Sequence, residues 1–69
     1  MIRQSVNSTS IVSIGYDENS QTLEIEFKNS NVYQYFDVPK NLYDDLISAP
    51  SQGQFLTQNI KGNYRYSKV

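Results

Sequence analysis

Val32-Tyr33-Gln34-Tyr35-Phe36-Asp37-Val38-Pro39 is the stretch on which the fold turns. Four of its first five residues are β-branched or aromatic, the composition of a pleated, half-buried strand. Side chains alternate along a strand, so Tyr33 and Tyr35 share one face, and Val32, Gln34, Phe36 and Val38 the other. Both faces carry bulk, which predicts cover on both. Pro39 has no N–H for a ladder and suits the first position of a helix. The stretch therefore predicts a central strand running straight into a helix.

Working back from it, Asn29-Ser30-Asn31 reads as a tight turn. Before that turn, Thr22–Lys28 alternates, with Leu23, Ile25 and Phe27 inward and Glu24 and Glu26 outward. Asp17-Glu18-Asn19-Ser20 is a second turn. Ile11–Tyr16 precedes it as a strand with Val12, Ile14 and Tyr16 on one face. Ser13 and Gly15 on the opposite face leave room for a close approach. Residues 1–9 are polar and are expected to be loosely held or an edge segment.

Working forward, Leu42, Tyr43, Leu46 and Ile47 form the apolar stripe of a helix that Ala49-Pro50 stops. Ser51-Gln52-Gly53-Gln54 matches a capping box and opens a second helix, with Phe55, Leu56 and Ile60 apolar and Gly62 at its end. Asn63–Val69 is extended by pattern and offers a fourth strand, with Tyr64 and Tyr66 on one face. The expected fold is one α+β domain over residues 1–69: an antiparallel meander of three to four strands with two short helices. Its expected inward set is Val12, Ile14, Leu23, Ile25, Phe27, Val32, Phe36, Val38, Leu42, Leu46, Phe55, Leu56 and Ile60.

Composition excludes several function classes. With no His and no Cys, the usual general bases, thiol nucleophiles, disulfides and soft metal ligands are all missing. Glu24 and Glu26, about 7 Å apart by the strand rise, are explained by alternation as a wet face. Asp17, Glu18 and Asn19 offer too few oxygens for Ca2+ and read as a turn. No catalytic residue, metal site or cofactor is expected. No apolar run reaches the ~18 residues of a membrane span, and residues 1–7 lack a signal-peptide core, so a cytoplasmic protein is expected.

The net charge of −1 argues against a general polyanion binder, yet the charges are unevenly spread. All seven acids lie in residues 17–45, whereas residues 46–69 hold Lys61, Arg65 and Lys68 and no acid. There Tyr64, Arg65, Tyr66 and Lys68 alternate stacking faces with phosphate-seeking cations, and Tyr33 and Tyr35 extend that platform if the last strand lies beside the central one. The same tyrosines also read as core and interface rings. A small nucleotide-like ligand needs one or two cations and a stacking ring, whereas long RNA needs many phosphate contacts. A pocket in so short a chain is most easily built between subunits, which favours a homo-oligomer. A protein-interaction module, such as a phage-encoded inhibitor, fits the exposed Tyr and Arg as well.

The chain resembles the KTSC domain, a bacterial and phage module of about this length. The resemblance rests on Ile14-Gly15-Tyr16-Asp17, Leu23–Phe27, Val32–Pro39, and Ser51-Gln52-Gly53-Gln54-Phe55 followed by Asn59-Ile60-Lys61. Tyr33-Gln34-Tyr35 fits the family's Tyr-x-Tyr motif, and Tyr64-Arg65-Tyr66 its usual C-terminal end. Two departures are Asn29-Ser30-Asn31, which lacks the glycine often found in that turn, and Thr57 in place of an Asn. The family takes its name from an appendage of some lysyl-tRNA synthetases and also occurs free-standing. The resemblance implies the α+β fold and a suggestion of RNA binding, with no established site to carry over.

Overall fold

Clean alternation makes Thr22–Phe27 the middle strand, β3, of a five-stranded antiparallel sheet in a computed structural model that describes residues 1–69. The strands follow chain order: β1 (Arg3–Ser5), β2 (Ile11–Asp17), β3, β4 (Val32–Tyr35) and β5 (Tyr66–Lys68). Two helices, α1 (Lys40–Ser48) and α2 (Gln52–Asn59), stand between β4 and β5 and cover one face. The sheet therefore exceeds the three to four strands expected. The extra strand is β1, whose polar residues carry no inward pattern but pair Gln4 with Ile14 at the edge.

The register places Ile14, Ile25 and Tyr33 in one row and Tyr16, Leu23 and Tyr35 in the next, all facing the helices. Ile11, Ile14, Leu23, Ile25, Tyr35, Val38, Leu46, Leu56 and Ile60 form the buried core. Two expectations, the inward faces of β4 and β2, are corrected here. The inward face of β4 is the tyrosine face: Tyr35 is 2% exposed, while Val32 and Phe36 lie outside the core. Val38 is inward as expected, although strict alternation after Tyr35 would turn it out, because Asp37 at φ 60° rotates the chain. In β2, a bulge between Ile11 and Ser13 leaves Val12 unpaired and 37% exposed, and Ile11 fills the core instead.

The far side of the sheet has no helix over it and is held by polar contacts. Arg3 meets Glu24 at 3.4 Å and Glu26 at 3.5 Å, Gln34 donates to Glu24 at 2.8 Å, and Ser13 donates to Glu26 at 3.2 Å. Cover on both faces of β4 is thus unnecessary, because its outward neighbours solvate one another. Gly15 admits β1 here: a Cβ would stand 2.7 Å from Arg3 Cγ and 3.2 Å from the Ile2 carbonyl.

The helix signals act as their chemistry requires. Pro39 caps α1 from just outside it, one residue earlier than expected, and its carbonyl accepts from Leu42 N–H. Ala49 is extended at ψ 142°, as a residue before proline must be. Ser51 Oγ accepts from Gln54 N–H at 3.3 Å and caps α2. Tyr16 stacks on Tyr43 of α1 at 4.6 Å and donates to the Val38 carbonyl, tying helix to sheet. No helix is long and apolar enough to cross a membrane.

Candidate functional site

An aromatic row crosses the sheet near the point where the chain leaves α2. Phe27 closes β3, Tyr33 and Tyr35 stand on β4, and Tyr66 opposes Tyr35 on β5. Phe27 meets Tyr33 edge-on at 5.8 Å, and Tyr66 lies 5.7 Å from Tyr33 and 6.0 Å from Tyr35. Such separations are those of interacting rings. This row floors a groove of about 460 Å3.

Two turns supply the groove's rims. On one side, Asn29 Oδ1 accepts from Asn31 N–H at 3.1 Å, and Phe27 N–H donates to the Asn31 carbonyl at 2.9 Å. This local bonding places both asparagines on the lining. On the other side, the chain leaves α2 through Lys61, whose N–H donates to the Leu56 carbonyl at 2.8 Å, and Gly62. Gly62 holds φ +84°, a left-handed conformation that spares a glycine any Cβ clash.

The polar groups of the groove are few and largely unspent. Tyr35 is almost wholly buried, yet its hydroxyl has no protein partner. No buried side-chain oxygen is left unsatisfied, so this hydroxyl opens into the groove. Burial, and then the neighbouring Tyr33 and Tyr66, raise its pKa, keeping it a protonated donor. Lys61 Nζ makes no ion pair and lies 5.9 Å over the Phe27 ring. The lining holds no carboxylate. Chemically, the groove suits a flat aromatic group, one negative charge at Lys61, and a hydrogen bond from Tyr35.

Of the residues singled out in the sequence, Tyr33, Tyr35, Lys61 and Tyr66 come together here. Tyr64 and Arg65 do not. They line a shallower neighbouring depression with Phe36 and Asn63, and Gly62 and Tyr66 form the ridge between the two. Arg65 is committed there to Asp37 at 2.9 Å and lies 5.6 Å over the Phe36 ring. Lys68 opposes Tyr33 on β5 and lies outside the groove lining.

Sequence reasoning passed over Phe27, Asn29, Asn31 and Gly62 as sites, reading them as core, turn and helix stop. Strand pairing carried a signal for Phe27, because a β3–β4 hairpin closed by Asn29-Ser30-Asn31 sets Phe27 beside the tyrosine face. The asparagines and glycine carried none, since a turn and a helix end meet only in the folded chain.

Residues 7–64 match the KTSC domain. A lysine–tRNA ligase of Nostoc punctiforme is 41% identical over 59 residues, which are 86% of this chain and 10% of the ligase. The chain thus spans about a tenth of the length of that relative. An uncharacterized protein of Stutzerimonas stutzeri is 37% identical over 70 residues and matches end to end, covering 100% of this chain and 99% of that protein. The crystal structure of a KTSC domain protein from Yersinia pestis is similar with a TM-score of 0.96 at 41% identity, covering 99% of this chain and 96% of that one.

Proposed function

This chain belongs to the KTSC domain family, and on that premise we propose that it is a non-catalytic binding protein whose aromatic groove takes a nucleotide-like small ligand. One observation carries this reading. A nearly buried tyrosine presents an unpaired hydroxyl to a concave aromatic surface with a lone unpaired cation on its rim. Pockets for small ligands have this anatomy, mostly apolar walls with a few convergent polar groups in roughly 300–1,000 Å3. Tyr33 and Tyr66 stack on the base and Lys61 meets the phosphate. Arg65 contributes only if it leaves Asp37.

The groove lies on a single chain but is open, and Tyr66 on its lining is 62% exposed. A second copy covering the open side completes the enclosure, so a small homo-oligomer is part of the reading. Binding of this kind acts by mass action. It would deplete a nucleotide signal without any chemical step.

RNA binding is a second reading, supported by the likeness to lysine–tRNA ligases. Its weakness is electrostatic, because the chain carries a net charge of −1.

Native mass spectrometry of the protein purified from its own cells tests the first reading. The expected result is a defined oligomer carrying a few hundred daltons of extra mass, lost in Tyr66→Ala and Lys61→Ala. A bare monomer overturns it.

A further inference from the structure

We infer that the groove is matched to an adenine-type base bearing a single phosphodiester. This deepens, and rests on, the nucleotide-binding reading above. The first argument is charge. Lys61 is the only cation on the lining, and no carboxylate opposes it. A phosphodiester carries one negative charge and is neutralised by one lysine. A polyphosphate carries several, and the groove has nothing further to offer them.

The second argument is the hydrogen-bonding edge. Asn29 has already committed its Oδ1 to Asn31 N–H, at 3.1 Å. The Asn31 side-chain amide has no partner in the protein and so presents a donor and an acceptor together. That pair complements the N6 donor and N7 acceptor of adenine. Guanine shows two acceptors on that edge and adjacent N–H donors on the other. Guanine's two acceptors call for a twofold donor; with Lys61 held by the phosphate, the Asn29 amide nitrogen and the Tyr35 hydroxyl remain only as separate donors. No carboxylate is present for guanine's donor edge, whereas Asn31 alone offers the donor–acceptor pair. Tyr33 and Tyr66 then supply faces for the purine, which every base would use alike.

This chemistry has two natural sources, a free cyclic mononucleotide and a dinucleotide step of RNA. Calorimetric titration of the 69-residue chain with 3′,5′-cyclic AMP, 3′,5′-cyclic GMP, ATP and the dinucleotide ApA separates them. Cyclic AMP or ApA is expected to bind at least about fivefold more tightly than cyclic GMP, the lower end of one bidentate pair. Both are expected to exceed ATP. Asn31→Ala should erase the adenine preference while keeping the order of cyclic AMP over ATP. Whichever of cyclic AMP and ApA binds more tightly identifies the source. Cyclic GMP equal to cyclic AMP, ATP the tightest of the four, or an adenine preference that survives Asn31→Ala, overturns the inference and leaves nucleotide binding standing. No binding by any of the four removes both.

Discussion

Single residues in this domain sit in conformations their side chains resist. Ser30 holds φ 74° at the tip of the β3–β4 turn. A Cβ in the left-handed region costs about 1–2 kcal/mol, partly offset because glycine loses more entropy on folding. Ser30→Gly is therefore expected to raise stability by up to about 1 kcal/mol in urea denaturation, with the m-value unchanged. Tyr35 makes a different residue-level prediction. Its pKa lies above the ordinary 10.0, chiefly through burial and then through Tyr33 and Tyr66. Tyr16 is raised too, by burial first and Glu18 next. The unfolded chain thus gives up these phenolic protons before the native one does. Their contribution is complete below about pH 10 and is lost as pH climbs through the raised native values. Thermal melts should fall more gently above pH 10 in Tyr35→Phe, a change that breaks no hydrogen bond within the protein. An unaltered alkaline slope would refute this.

At the level of elements, local chemistry and tertiary context divide the outcome. β3, α1 and α2 were legible because each obeys one period and carries its own stop signals, Pro39, Ala49-Pro50 and Ser51 among them. β2 was misread at Val12, since a bulge adds one residue and reverses every side chain before it. That correction is testable. Ile11→Ala should cost about 2–5 kcal/mol as a core truncation, whereas Val12→Ala should stay within about 0.5 kcal/mol. Equal losses would mean that the bulge lies elsewhere. β4 was read correctly as a strand but with its faces exchanged, because Val32 and Phe36 look more apolar than two tyrosines. Pairing decides otherwise: Tyr35 opposes Leu23 and Tyr33 opposes Ile25, both core residues. Strand partners assign a face more surely than hydropathy does.

The whole molecule combines a sheet covered on one side only, an acidic polar network on the other, and one cation beside an aromatic groove. One phosphate met by Lys61 predicts a weak salt dependence, with log affinity falling by about one unit or less per log unit of salt. A slope several times steeper would move the function to RNA. The chain by itself determined the α+β class, the antiparallel meander, both helices with the Ser51 cap and the Ala49-Pro50 stop, and the pairing of tyrosines with bases in its last third. These follow from periodicity and from Pro, Ser and Gly chemistry, which act within a few residues. Only the tertiary structure decided that Tyr35 is core and site at once, that Arg65 lies outside the groove and pairs with Asp37, and that Asn31 and Lys61 line a common cavity. Those outcomes depend on residues about 30 apart in sequence meeting across the sheet. Such contacts are set by strand register and chain reversal, which no local pattern encodes.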